Sequence, residues 1–346
     1  MRIVLSVLLA YSVNGPSTAM AQMAAPPGPG RSALALAKPV SVGLQDDLGM
    51  LIDGAVRPDG SACTIDYSST RVLCYSPRGK LLWRMGRKGQ GPGEFELPYR
   101  IASDHSGRLL IYDMSQRAIT WLGTDGKFIR RKLVPLGLSQ VNNMRVLPDG
   151  SIAIAGYAPR GGKAGGFGVH VFSDTLAYLR SFGDLPRAID PMVLEHWGSG
   201  TVSVLGNGRI AYSRAAPADV AVFDGSGREV ARIRAPMVKT TIVDSAFDIR
   251  RGPTGIQIGR SAKPIQNLGL VFSASRNQIL VTRLGATANA GFFWDLYSAD
   301  GTLVESMAAP AGWDFPFGLT PDGILWAIGS VGGEPALVHS QLQFRP

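Results

Sequence analysis

The sequence predicts an all-β fold, a six-bladed β-propeller of four-stranded antiparallel blades, and three observations carry that prediction. A turn pair recurs at Asp59-Gly60, Ser106-Gly107, Asp149-Gly150, Asn207-Gly208, Arg276-Asn277 and Asp322-Gly323, each after an apolar run and before a β-rich one. A second turn follows at Arg78-Gly79, Asp125-Gly126, Asp174-Thr175, Ser226-Gly227 and Asp300-Gly301. The two glycines of a unit stand 79−60, 126−107 and 227−208 residues apart, 19 each time. Recurrence of that kind marks a repeat, here with a period of roughly 40 to 50 residues widened by insertions.

One unit is legible in full between Gly86 and Gly126. A Gly-rich connector (Gly86 to Pro98) leads to the apolar pair Ile101-Ala102, a turn, the run Leu109 to Asp113, the run Ile119 to Leu122 and a second turn. Four short strands joined by tight turns form one blade. Alternation supports strands in the other units, as in Ile152/Ile154, Val220/Val222, Ile279/Val281 and Leu325/Ala327. The sixth unit places strands near Ile324 to Ile328 and Ala336 to Phe344 and has no second turn, so it lacks an outer strand. An open ring exposes sheet edges. Pro39 to Leu44 is therefore expected to supply the missing strand and fasten the ends.

Arg2, the apolar run Ile3 to Val13 and the small-residue site Ala19-Met20-Ala21 read as a secretory signal over residues 1–21. Residues 22–38 read as a flexible leader and residues 39–346 as the propeller. The apolar run is about half the ~20 residues of a membrane span. The expectation is an exported protein, periplasmic or extracellular, with no transmembrane segment.

Lys and Arg total 35 against 26 Asp and Glu, a net charge of +9. On an exported chain this favours anionic partners over nucleic acid, the alternative being a solvated surface, since the charges are dispersed with no run longer than Arg130-Arg131-Lys132. The 43 Gly and 23 Pro are scattered, which suits many turns and excludes a collagen period. If Ser68-Ser69 centres a hairpin, paired residues sum to 137 and Cys63 faces Cys74. A disulfide is expected there, the alternative being two small buried hydrophobes.

The segment Gly89-Gln90-Gly91-Pro92-Gly93-Glu94-Phe95 to Pro98, followed by Ile101 to Asp113, resembles the NHL-type repeat and its bacterial six-bladed propeller relatives. The motif match covers about Gly54 to Gly126, and the rest of the chain shares turns and strand pattern. The resemblance implies a propeller with a central channel. Its relatives include amidating lyases, lactone hydrolases and non-enzymatic binding modules, so fold alone does not choose an activity.

Propeller connections alternate between two rims. The counted turns share one, and the long insertions (Gly156 to Gly168, Gly183 to Gly200, Ala235 to Leu268 and Leu284 to Gly291) share the other. Variation confined to one rim reads as a binding face, the alternative being loops that vary where nothing constrains them. Residues entering the innermost strands there are Asp53, Tyr99, Arg100, Asn142, Asn143, Arg145, His196, Trp197, Trp313 and Asp314. Arg suits a carboxylate or phosphate and Trp a sugar ring. The basic stretch Ala235 to Leu268 reads as a lid over that mouth or as a solvated excursion.

Glu94, Asp66 and Asp113 are expected to be scaffold, since Asp beside a turn bonds local amides. His105, His170, His196 and His339 have no metal-ligand spacing, and no Ser lies in a GxSxG elbow. No cofactor is specified, although Asp53, Asn142, Asn143 and Asp314 could offer oxygens to calcium at the axis. The sequence thus points to a binding module for a protein, glycan or small anionic ligand. The alternative is a metal-dependent lyase or hydrolase of the amidating-lyase or lactonase type.

Overall fold

The computed structural model describes residues 34–346 apart from 136–137, 139, 161–162, 184–199, 206–207, 215–218, 235–246, 253–254, 261–269, 275–277, 285–291, 299–300, 321 and 345–346. All regular structure among the described residues is strand. From inner to outer, blade 1 is Leu51–Val56, Ala62–Asp66, Arg71–Tyr75 and Leu81–Met85. Blade 2 is Pro98–Ser103, Leu109–Asp113, Ala118–Leu122 and Phe128–Leu133. Blade 3 is Gln140–Val146, Ile152–Arg160, Lys163–Phe172 and Tyr178–Phe182. Blade 4 is Thr201–Val204, Ile210–Arg214, Asp219–Phe223 and Glu229–Arg234. Blade 5 is Leu270–Ala274, Gln278–Leu284, Phe292–Tyr297 and Leu303–Ala308.

Blade 6 takes Trp313–Leu319, Ile324–Val331 and Glu334–Phe344 from the end of the chain. Val40–Val42 pairs antiparallel with the last of these, Val40 opposite His339, so the expected closing strand is in place. A second segment closes the ring as well. Leu34–Leu36 pairs with the far end of the same strand, Leu34 opposite Phe344, and so lies within the stretch read as leader.

Closure is visible in the packing. The first strand of each blade packs on the first strand of the next, and that of blade 6 returns to blade 1. The buried apolar side chains form six clusters, one at each seam between neighbouring blades. At the closing seam, Phe317 lies over Gly54 and Val56 lies over Gly318. A Cβ on Gly54 would stand 2.6 Å from the Phe317 ring, and one on Gly318 would meet Val56. A side chain at either position would force the facing residue to shift.

The counted turns share one geometry. Gly60, Gly107, Gly150, Gly208 and Gly323 each donate N–H to the carbonyl three residues earlier, as do Gly79, Gly126, Gly227 and Gly301 at the second turns. All have positive φ, which a residue without Cβ adopts freely. Arg276-Asn277 lies outside the described residues. These turns form a tight rim, and the opposite rim carries the longer connections. Blade 3 extends its second hairpin to Arg160 and Lys163. An extra hairpin, Phe247–Gly252 with Gly255–Arg260, occupies part of the stretch read as a lid.

Cys63 and Cys74 face one another in register, as do Ala62 and Tyr75, and the pair is disulfide-bonded with Cα atoms 4.0 Å apart.

Candidate functional site

The candidate site is the set of residues expected at the channel mouth, and one backbone irregularity positions three of them. The innermost strands of blades 1, 2 and 3 each carry a β-bulge, between Leu51 and Asp53, Pro98 and Arg100, and Val141 and Asn143. A bulge re-aims the side chain that follows it. Here those residues are Asp53, Arg100 and Asn143, and each bonds the next blade. Asp53 Oδ2 accepts the N–H of Ile101 at 3.0 Å, while Oδ1 accepts that of Gly54 at 2.9 Å. Arg100 Nε donates to the carbonyl of Asn142. Asn143 Oδ1 accepts the N–H of Val202 at 3.1 Å. One position thus clasps blades 1 to 2, 2 to 3 and 3 to 4.

This placement was readable in the spacing. The three residues stand 60−53, 107−100 and 150−143 positions before their turn glycines, seven each time. The corresponding place after the first bulge of blade 6 holds Phe315, whose ring is 47% exposed. Sequence reasoning missed Phe315 because a second bulge, between Pro316 and Gly318, breaks the count.

Arg145 reaches furthest. From blade 3 its Nη1 donates to the carbonyl of Met144 at 2.8 Å, and its Nη2 lies 3.5 Å from the carbonyl of Phe317 in blade 6. Burial is the largest influence on Asp53 and pushes its carboxyl up. The guanidinia of Arg100 and Arg145, and then the two amides, pull it back. Burial likewise lowers Arg145, with Asp53 opposing that shift and Arg100 adding to it. Two guanidinia therefore act electrostatically on one carboxylate. The Nδ2 of Asn142, beside them, is buried without an acceptor.

Asp314 is half-buried, and burial alone pushes its carboxyl up, so it stands apart from this charge cluster. Trp313 is only 3% exposed and packs edge-on against Trp294, with ring centroids 5.5 Å apart. It is a core residue, which corrects the expectation that it edges the mouth. The Tyr99 ring is covered by the Arg100 guanidinium, 3.9 Å from its centroid. His196 and Trp197 lie outside the described residues.

Two of the four oxygen donors considered for calcium, Asp53 and Asn143, sit in a setting that disfavours that ion. Both Asp53 oxygens and Asn143 Oδ1 already receive backbone amides, and Arg100 and Arg145 set positive charge beside them. The described histidines are dispersed. His105 follows the tight-rim residue Asp104, while His170 bonds Ser181 Oγ (2.6 Å) and the Gly156 carbonyl (3.1 Å). His339 stacks on Trp326 with centroids 4.3 Å apart. Asp113 accepts the amides of Glu96, Leu97 and Gln116. Asp66 holds Ser68, Ser69 and Gly49, and Glu94 holds Gly91 and Arg87. These three carboxylates fasten connectors.

No family model matches the chain. Solved structures share the fold at low identity. A Bacteroides fragilis protein, provisionally described as exported, aligns at a TM-score of 0.62 and 11% identity over 91% of this chain and 96% of its own. Virginiamycin B lyase from Staphylococcus aureus aligns at 0.52 and 11%, over 90% of this chain and 100% of the lyase. A gluconolactonase from Xanthomonas campestris aligns at 0.53 and 14%, over 86% of this chain and 87% of the enzyme. The likeness establishes the architecture, and these activities remain those of the neighbours.

Proposed function

We propose that the protein is an exported propeller that binds a small anionic ligand, a carboxylate or phosphate, at the long-connection mouth of its channel. One observation carries this reading: Arg100 and Arg145, both bonded to backbone carbonyls of other blades, exert their charge on the single carboxylate of Asp53, and the buried Asn142 Nδ2 lacks an acceptor. A desolvated guanidinium at Arg145, with the partly buried Arg100 and a spare amide donor nearby, is suited to ligand oxygens. The glycan element has less support, because Trp313 is core and Tyr99 is covered. Export rests on the signal read over residues 1–21 and on the description of the Bacteroides fragilis neighbour.

The lyase and lactonase activities of the neighbours form the competing reading. A metal ligated by Asp53 and Asn143 would have to share oxygens that already accept backbone amides and sit near the positive charge of Arg100 and Arg145. The test is thermal stabilisation of the purified protein by citrate, inorganic phosphate and glucuronate, with glucose and calcium chloride as comparators. Stabilisation by the anions alone supports the proposal; stabilisation by calcium or glucose alone overturns it.

A further inference from the structure

On the tight rim, opposite the mouth, a groove of about 530 Å³ opens between blades 1 and 2. That volume suits a small ligand. Its origin lies in one turn position. The carbonyl that receives the turn glycine belongs to Arg57, Asp104, Leu147, Leu205 and Thr320 in the five described blades. Leu147 and Leu205 are buried in the apolar clusters of their seams. Blade 1 places a guanidinium where blades 3 and 4 place those leucines.

Arg57 is 5% exposed and its Nε has no hydrogen-bond partner. It lies over Gly107, where a Cβ would stand 3.4 Å from that nitrogen. Its one ion pair is long, Nη2 to Asp59 Oδ2 at 3.5 Å. A desolvated guanidinium with an unused donor costs free energy that a ligand carboxylate would recover. The apolar lining is Leu82, 46% exposed, and Trp83, whose indole N–H is already committed to the Thr124 carbonyl at 3.0 Å. His105 also lines the groove. Asp59 and Asp125 line it too, and they disfavour a doubly charged anion.

We propose that this groove binds a small aromatic monocarboxylate, with the carboxylate on Arg57 and the ring over Leu82 and Trp83. The site is separate from the mouth and stands or falls independently of it.

The test is titration of the full chain with benzoate, followed through the His105 imidazole resonances and tryptophan fluorescence. Saturable shifts at His105 are expected in the wild type. Arg57→Leu, which installs the residue of blades 3 and 4, should weaken them at least tenfold with the circular dichroism unchanged. Should that variant fail to fold, Arg57→Lys serves instead and should weaken binding severalfold. Asp53→Asn, at the mouth, should leave the shifts in place. Benzylamine or phenyl phosphate binding more tightly than benzoate, or benzoate shifts that ignore both Arg57 changes, would overturn the assignment.

Discussion

Asp53 of blade 1 takes the backbone amide of Ile101 in blade 2, 48 residues later, at 3.0 Å. The same carboxylate feels the charge of two guanidinia, so it both fastens a seam and offsets positive charge beside it. These two roles separate by substitution. Asp53→Asn removes the negative charge and keeps one of the two acceptors, so it should bind anions severalfold more tightly and cost about 1 to 3 kcal/mol for the amide left unpaired. Asp53→Ala orphans two amides and leaves the guanidinia unopposed, and should cost about 3 to 5 kcal/mol in denaturant unfolding.

Asn143 makes the equivalent bond to Val202 without a charge. Asn143→Ala leaves a buried amide unsatisfied and should cost about 1 to 3 kcal/mol by urea titration. Asn143→Asp, which keeps the acceptor, should recover most of it.

The two N-terminal segments close blade 6 together. Removing residues up to Gly43 strips the partner from Glu334–Phe344 and should lower Tm by on the order of 10 °C. Removing residues only up to Lys38 spares Val40–Val42 and should cost much less. Equal melting of the long truncation and the full chain would contradict ring closure by these strands.

The Cys63–Cys74 bond closes a loop with a sequence separation of 11. On loop-closure grounds, Cys63→Ala with Cys74→Ala should lose roughly 3 kcal/mol. Thiol titration of the denatured, unreduced wild type should find no reactive cysteine.

His339 is held below its ordinary value of 6.5 by burial. The folded chain therefore binds this proton more weakly than the unfolded chain does. Stability from the neutral ring is present above pH 6.5 and is lost as pH falls below it. The ring lies opposite Val40 on the closing strand, so protonation strikes the fastening itself. His339→Phe keeps an aromatic ring against Trp326 and should flatten the slope of Tm against pH between about 5 and 7.

Much of the wheel was legible because turn glycines need positive φ and so recur at fixed spacing. The pairing of Cys63 with Cys74 followed from the same turn arithmetic. Bulges are different, since they depend on how three-dimensional strands meet. They promote Asp53, Arg100 and Asn143 over their neighbours, hide Phe315 from a simple count and leave Trp313 on the core side. Leu34–Leu36 escaped notice because its short apolar run adjoins a Pro- and Ala-rich stretch. The Arg57 groove escaped because a rim of uniform turns offers no length variation to mark it.

The most direct measurement is isothermal titration of citrate into the wild type and into Arg100→Gln with Arg145→Gln, at low and high salt. The double variant must first be shown folded by circular dichroism. Binding by the wild type that weakens with salt, and that falls at least tenfold in the double variant, is the predicted result. Citrate binding that is unchanged by loss of both guanidinia would contradict the channel as the anion site.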